Sequence, residues 1–294
     1  MTPNALLDDF VRHLRVERGL SRNTELSYGY QLKGYLAFLA ARGKGPLSVE
    51  RDDVLAYLER RKEDGLKSAS LFIAAIAVRQ FHRYVAQVGH VAADPTNGLR
   101  LPRFKQRIPE PLDAERMDRL LHPPVGAKFS ALRDHAMFEL MYATGMRVSE
   151  LTGLRMGQVD LAGDWVRVMG KGSKERIVPF GPRAAQALGR YLAARTAKFP
   201  AALDTIFLNI RGKGLTRAGF GWRLAAAARR AGLSCRLTPH QIRHTTATVM
   251  LEGGASLCVV QEMLGHASLL TTQKYTHVSA KFMRETCRNA HPRF

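Results

Sequence analysis

Four prolines fall between residues 95 and 112: Pro95, Pro102, Pro109 and Pro111. Each removes a backbone N–H and fixes φ, so neither a helix nor a central strand can run through them. A chain of 294 residues is thereby parted into pieces that must each bury a core of their own. On the soft prior of ~150 residues per domain, two domains are expected, covering residues 1–94 and 113–294. Arg100, Arg103, Lys105 and Arg107 lie among the prolines. The 95–112 segment therefore reads as an extended linker, with a charge suited to a phosphate backbone or to a plain exposed tether.

Before the linker the pattern is helical throughout. One helix is expected over Ala5–Glu17, stopping at Gly19. A second follows Ser21 to Ala41, with Tyr30, Tyr35, Leu36 and Leu39 on its apolar side. A third begins beyond Ser48, taken as its N-cap, and reaches Glu63 before Gly65. The fourth places Ile73, Ile76, Ala77, Phe81, Tyr84, Val85 and Val88 at helical spacing. Four amphipathic helices with short loops make a bundle.

After the linker, helices are expected at Asp113–Leu121 and Ala131–Thr144, the latter closing on Gly145. The period then changes. Trp165–Met169 alternates as a strand does, and Arg176–Pro179 is its expected partner across a Gly/Lys-rich turn. Helical spacing returns at Pro182–Ala197, Arg217–Ala231, Pro239–Leu251, Ser256–Leu264, Leu269–Tyr275 and Ala280–Asn289. The fold class is mainly α: an N-terminal four-helix domain, then an α+β domain with a small antiparallel sheet.

Charge narrows the function. The net charge is +20, which suits a polyanion, since each Lys or Arg that neutralises a phosphate releases condensed counterions. The excess is uneven: residues 165–243 hold 16 Lys/Arg against Glu175 and Asp204 alone. An ordinary solvated face mixes signs. Cys235, Cys258 and Cys287 form no C-x-x-C pair, so a disulfide framework and a structural zinc site are both disfavoured. No apolar run reaches the ~18 residues that span a bilayer, and Asp8, Asp9 and Glu17 occupy the place of a leader's apolar stretch. A cytoplasmic protein is expected.

Several short stretches could carry chemistry. In Thr238-Pro239-His240-Gln241-Ile242-Arg243-His244, Thr238 reads as an N-cap, Pro239 as the first helical residue and Gln241 as the far side of a capping box. His240 and Arg243 then share a face at the positive end of a helix, where anions are attracted. His240 and His244 have zincin spacing, but Gln241 replaces the general base and Arg243 repels a cation. In Ala143-Thr144-Gly145-Met146-Arg147-Val148-Ser149-Glu150, Glu150 can hold the Arg147 guanidinium, as any surface pair would. In Gly170-Lys171-Gly172-Ser173-Lys174-Glu175-Arg176, Lys171 sits at a hairpin tip, from which an ammonium can track a phosphate and release a proton. His266 falls at a helix junction, and Tyr275 stands in a polar stretch away from any apolar stripe, where a tyrosine can be a nucleophile.

In this order, Arg147, Lys171, His240-x-x-Arg243, His266 and Tyr275 resemble the active-site set of the tyrosine recombinases, or phage integrases. The strings ATGMRVSEL, GKGSKER, LTPHQIRH and LGHASLLTTQKYTH are similar too. Length and motif spacing look like the Xer branch, and the ending Asn289–Arg293 is nearer its XerD side than its XerC side.

The resemblance implies a site-specific recombinase that cuts and rejoins DNA. Tyr275 would attack the scissile phosphate to give a 3′-phosphotyrosine and a free 5′-hydroxyl. Arg147 and Arg243 would stabilise the non-bridging oxygens, Lys171 would protonate the leaving oxygen, His240 would assist proton transfer, and His266 would bond the phosphate. Glu150 would support Arg147 from behind. No cofactor and no metal are implied. The N-terminal bundle would be the core-binding domain, closing a clamp on double-stranded DNA. Four protomers, as a homotetramer or a heterotetramer with a second Xer recombinase, would synapse two sites. Each would pass its C-terminal segment, residues 279–294, to a neighbour, unless that helix folds onto its own domain. The implied role is chromosome-dimer resolution with a DNA translocase of the FtsK type. A plasmid, phage or transposon integrase is the alternative within the family, and a DNA-binding protein without catalysis is the alternative outside it.

Overall fold

A computed structural model describes residues 2–100, 110–123, 126, 128–170, 175–200, 204–233, 237–265 and 280–294. The chain divides into two compact units, Met1–Ile108 and Pro109–Phe294. Lys171, Cys235, His266, Tyr275, the helix expected at 269–275 and residues 101–109 of the linker lie outside the described residues. The described ends of the linker are packed rather than extended: Leu99 joins the core of the first unit and Leu112 that of the second.

The first unit holds α1 (Pro3–Val16), α2 (Arg22–Ala41), α3 (Arg51–Glu63) and α4 (Ser68–Gln87). Thr2 and Ser21 cap the first two, each hydroxyl accepting a backbone N–H. Glu50, not Ser48, stands at the N-cap of α3, where Asp53 reaches back to the Glu50 amide at 3.0 Å. Ser48 instead closes the preceding turn onto Gly45. The core joins Leu6, Phe10, Leu32, Tyr35, Leu39, Tyr57, Val78 and Phe81.

Three residues expected on apolar faces are exposed. Tyr30 lies two positions from Leu32, about 200° around the helix, and is 72% exposed. Ile73 flanks the buried stripe of α4, which runs Leu71, Ala74, Ala75, Val78, Phe81, His82 and Val85. Val88 is where that helix ends, so its side chain no longer follows the stripe. His82 is fully buried within the stripe, 2.8 Å from the Tyr35 hydroxyl.

The second unit holds α5 (Ala114–Leu120), α6 (Phe129–Thr144), α7 (Val148–Thr152), β1 (Val159–Asp160), β2 (Trp165–Met169), β3 (Glu175–Pro179), α8 (Pro182–Lys198), α9 (Arg217–Arg230), α10 (Pro239–Glu252), α11 (Leu257–Leu264) and α12 (Ala280–Ala290). The strands form one antiparallel sheet in the order β1-β2-β3. With two residues, β1 is too short to show alternation. Helix α6 is the spine of this unit: every residue from Leu132 to Thr144 is buried except His135. Its charges are answered in place, Arg133 by Asp134 and the Leu208 carbonyl, and Asp134 also by Arg223.

The described part of the C-terminal segment, residues 280–294, packs on its own unit. Met283, Cys287 and Ala290 of α12 enter the core. His291 donates to the Tyr142 carbonyl at 3.2 Å, and Arg293 pairs with Glu139 and Asp118. No described helix is long and apolar enough to cross a membrane.

Candidate active site

Helix α6 ends on Gly145, whose φ of 58° is left-handed and whose N–H closes onto the Met141 carbonyl. That conformation is free to glycine and costly to residues with a Cβ. It turns the chain at once into buried Met146 and then Arg147, the N-cap residue of α7. Glu150, on the first turn of α7, takes the Arg147 amide on Oε2 at 2.7 Å and the Arg147 guanidinium on Oε1 at 3.0 Å. The pair expected from the sequence is formed, and local backbone geometry fixes it.

Helix α10 begins as the sequence indicates, with the Thr238 hydroxyl accepting the Gln241 N–H at 3.2 Å and Pro239 in the first turn. The expected capping box does not close. The Gln241 amide instead donates 2.9 Å to the Glu110 carbonyl, tying the start of this unit to α10. His240 stays exposed in the first turn, whereas Arg243 is buried.

The C-terminus of α11 gathers the site. Its last turn presents three successive carbonyls, and each accepts a guanidinium N–H from a different element. The Met263 carbonyl takes Arg176 Nε at 2.9 Å, the Leu264 carbonyl takes an Arg243 Nη at 2.7 Å, and the Gly265 carbonyl takes an Arg147 Nη at 3.1 Å. Unpaired carbonyls and the negative end of the helix dipole make this a natural seat for cations. Arg243 also donates 2.7 Å to the Gly145 carbonyl, so the ends of α6 and α11 are bridged by one side chain. Close approach is needed here: a Cβ on Gly145 would stand 2.5 Å from Leu264 Cδ2.

Arg176 was missed as a site residue. It grips both Glu150 oxygens, at 3.1 and 2.9 Å, with a side chain only 11% exposed. The signal was parity: Arg176 pairs with Val168 and lies two residues from Val178, on the inward face of β3. A charge at an inward strand position needs a buried partner.

Three guanidiniums against one carboxylate leave the cluster with an excess of positive charge. Burial, then the nearby charge of Arg147, pushes the Arg243 pKa down to about 10, which keeps it protonated at neutral pH. Burial pushes Glu150 upward, but the hydrogen bonds from Arg176 and from the Arg147 amide outweigh it, holding the carboxyl below its usual range. Arg147 retains a 41% exposed side chain. The cluster can thus hold an anion against Arg147, with Arg243 fixed beneath it.

Residues 110–281 match the Phage integrase family, and residues 7–89 match the Phage integrase N-terminal SAM-like domain. The chain belongs to the phage integrase family. It is 41% identical over 296 residues to the tyrosine recombinase XerD of Halalkalibacterium halodurans, with 99% of each chain covered. It is 40% identical over 289 residues to the tyrosine recombinase XerC of Pelobacter propionicus, covering 97% of this chain and 94% of that one. Among solved structures, the XerA recombinase is 29% identical with a TM-score of 0.51, covering 99% of this chain and 100% of that one. The XerH recombinase bound to its difH substrate shares the fold at 22% identity and a TM-score of 0.68, covering 95% and 83%. This phage integrase family member is therefore an Xer-type tyrosine recombinase, an enzyme of site-specific recombination, as its motifs indicated.

Proposed function

We propose that this recombinase exchanges DNA strands through a phosphotyrosine on Tyr275, and that its role is to resolve chromosome dimers at segregation. The single observation that carries the reading is the arginine cluster on the three terminal carbonyls of α11. Arg147 and Arg243 hold the two non-bridging oxygens of the scissile phosphate. They stabilise the charge that builds up as Tyr275 Oη bonds to phosphorus. The bond from phosphorus to the 5′-oxygen breaks, Lys171 supplies the proton to that oxygen, and His240 takes part in moving the tyrosine proton. His266 bonds the phosphate. The energy of the phosphodiester stays in the phosphotyrosine until a 5′-hydroxyl attacks it and rejoins the strand. Neither a metal nor a cofactor enters this scheme.

The substrate is a double-stranded recombination site, held by residues 1–94 and 113–294 with the 95–112 linker between them. The lambda integrase tetramer solved on a Holliday junction, at 19% identity, shares this chain's fold and supports a tetramer on synapsed DNA, either of this chain alone or with a second Xer recombinase. The chromosomal role, a translocase of the FtsK type as activator and the cytoplasm are what the resemblance of the motifs to the Xer branch implies; the names of the relatives support the XerD type alone.

The test is covalent trapping on nicked duplex DNA carrying a site selected by binding from genomic fragments. The wild-type chain should leave a 3′-linked adduct, and Tyr275→Phe should leave none while binding the same DNA. An adduct formed by Tyr275→Phe removes the assignment.

A further inference from the structure

Glu150 is shared. Its Oε1 accepts from Arg147 Nη1 at 3.0 Å and from Arg176 Nη1 at 3.1 Å. Its Oε2 accepts from the Arg147 amide at 2.7 Å and from Arg176 Nη2 at 2.9 Å. Both oxygens are thus divided between the two arginines, and Arg147 holds only one of them with its guanidinium. The other Nη of Arg147 goes to the Gly265 carbonyl. Arg176 itself is anchored a third time, through Nε, to the Met263 carbonyl.

We infer that Arg176 is a positioning residue for cleavage, which occupies Glu150 bidentately and so keeps the Arg147 guanidinium turned toward the phosphate. The inference rests on the proposed function of this same site. Its physical basis is competition for one carboxylate. Arginine–carboxylate pairs prefer two parallel N–H···O bonds. With Arg176 absent, Glu150, whose side chain is 7% exposed, has Arg147 as its remaining bonded cation. The Arg147 guanidinium then gains a bidentate pairing, leaves the Gly265 carbonyl, and spends its charge on the carboxylate rather than on the substrate. Buried carboxylates do not remain half-satisfied where a cation is in reach.

Arg176 also ties three parts of the chain. It stands on β3, five residues after Lys171; it holds Glu150 on α7; and it holds the end of α11, where His266 follows Gly265. A Cβ on Gly265 would come within 3.0 Å of its Nη1, so the guanidinium lies against the turn itself. Lysine cannot replace it. An ammonium keeps the charge but lacks the planar fork that bridges both carboxylate oxygens and a carbonyl.

The experiment is single-turnover adduct formation on the nicked duplex at saturating DNA, with DNA affinity and thermal midpoint measured on the same preparations. Arg176→Met should slow adduct formation by about 10²-fold, the scale of a small misplacement of a catalytic group, with DNA affinity preserved. Arg176→Lys should recover only a minor part of the rate while folding as the wild type does, which keeps the test valid if the methionine variant is unstable. The defect should persist on a 5′-bridging phosphorothiolate, whose sulfur leaves without a proton, because Arg176 acts through Arg147 and not through Lys171. In an Arg147→Ala background, Arg176→Met should add almost nothing. The inference is overturned if Arg176→Lys cleaves at the wild-type rate, if sulfur substitution relieves the defect, or if the two substitutions multiply. Absence of an adduct from the wild-type chain would instead overturn the proposed function.

Discussion

A guanidinium and an ammonium answer different needs at a phosphate. Arg147 and Arg243 are held by the α11 carbonyls, which suits their proposed role of stabilising charge at fixed positions. Lys171, four residues before Glu175 in the sequence, has the proposed role of supplying a proton instead. The two roles separate by leaving group. Lys171→Ala should slow cleavage of an ordinary phosphodiester by ~10²–10⁴-fold, the usual worth of general acid catalysis. On a 5′-bridging phosphorothiolate most of that loss should vanish. Arg147→Ala and Arg243→Ala should be slow on both substrates, since sulfur does nothing for the non-bridging oxygens. Equal defects for Lys171→Ala on the two substrates would pass the general-acid role to His240, the exposed imidazole on the first turn of α10.

Helix ends, more than helix bodies, build this site. Gly145 at the end of α6 and Gly265 at the end of α11 both adopt left-handed backbone, and Arg243 joins the carbonyls beside them. Gly145→Ala adds the cost of positive φ to a contact of 2.5 Å with Leu264. A loss of about 2–4 kcal/mol is expected from strain plus overpacking, read as a lower urea midpoint, together with slower adduct formation as the Leu264 carbonyl shifts. Gly189→Ala in the interior of α8 meets nothing within 4 Å. It should instead gain about 0.5–1 kcal/mol. A Gly145→Ala midpoint equal to wild type would refute the account of the turn. These ends are also what the sequence shows best. Ser21 and Thr238 stand at the helix starts where expected, and Asp113 and Ser256, read as first helical residues, are the caps of theirs, because capping is local chemistry. The centre of a buried stripe is set by neighbours, so helical spacing alone puts Tyr30 and Ile73 inward and does not single out His82. The Arg147–Glu150 pair was legible because three residues span it. Arg176 was not, since its partners lie 26 and 87 residues away.

The two units have a core each, and among the described residues each holds one buried imidazole. His82, in the first unit, is fully buried, with Nδ1 lacking a partner among the described residues; burial pushes its pKa down to about 4, against a smaller upward pull from Asp94. His291, in the second, donates through Nε2 to the Tyr142 carbonyl and accepts the Arg293 amide on Nδ1. Burial brings it to about 4 as well, with the Tyr142 hydrogen bond opposing and the Arg293 charge assisting. Both folded values lie below the unfolded ~6.5. Between these limits the unfolded chain binds more protons, so stability is full above pH 6.5 and falls as pH drops toward 4. At pH 5 each imidazole should cost its own unit about 2 kcal/mol relative to pH 7.5. The two tryptophans, Trp165 and Trp222, both lie in the second unit, so unfolding followed by indole emission reads that unit. His291→Gln keeps a donor for Tyr142 and cannot titrate. It should flatten the pH dependence of the emission midpoint in urea between pH 7.5 and 5, while His82→Gln leaves it steep. A wild-type emission midpoint that does not move over this range would show that His291 takes up its proton without disturbing the tail it anchors.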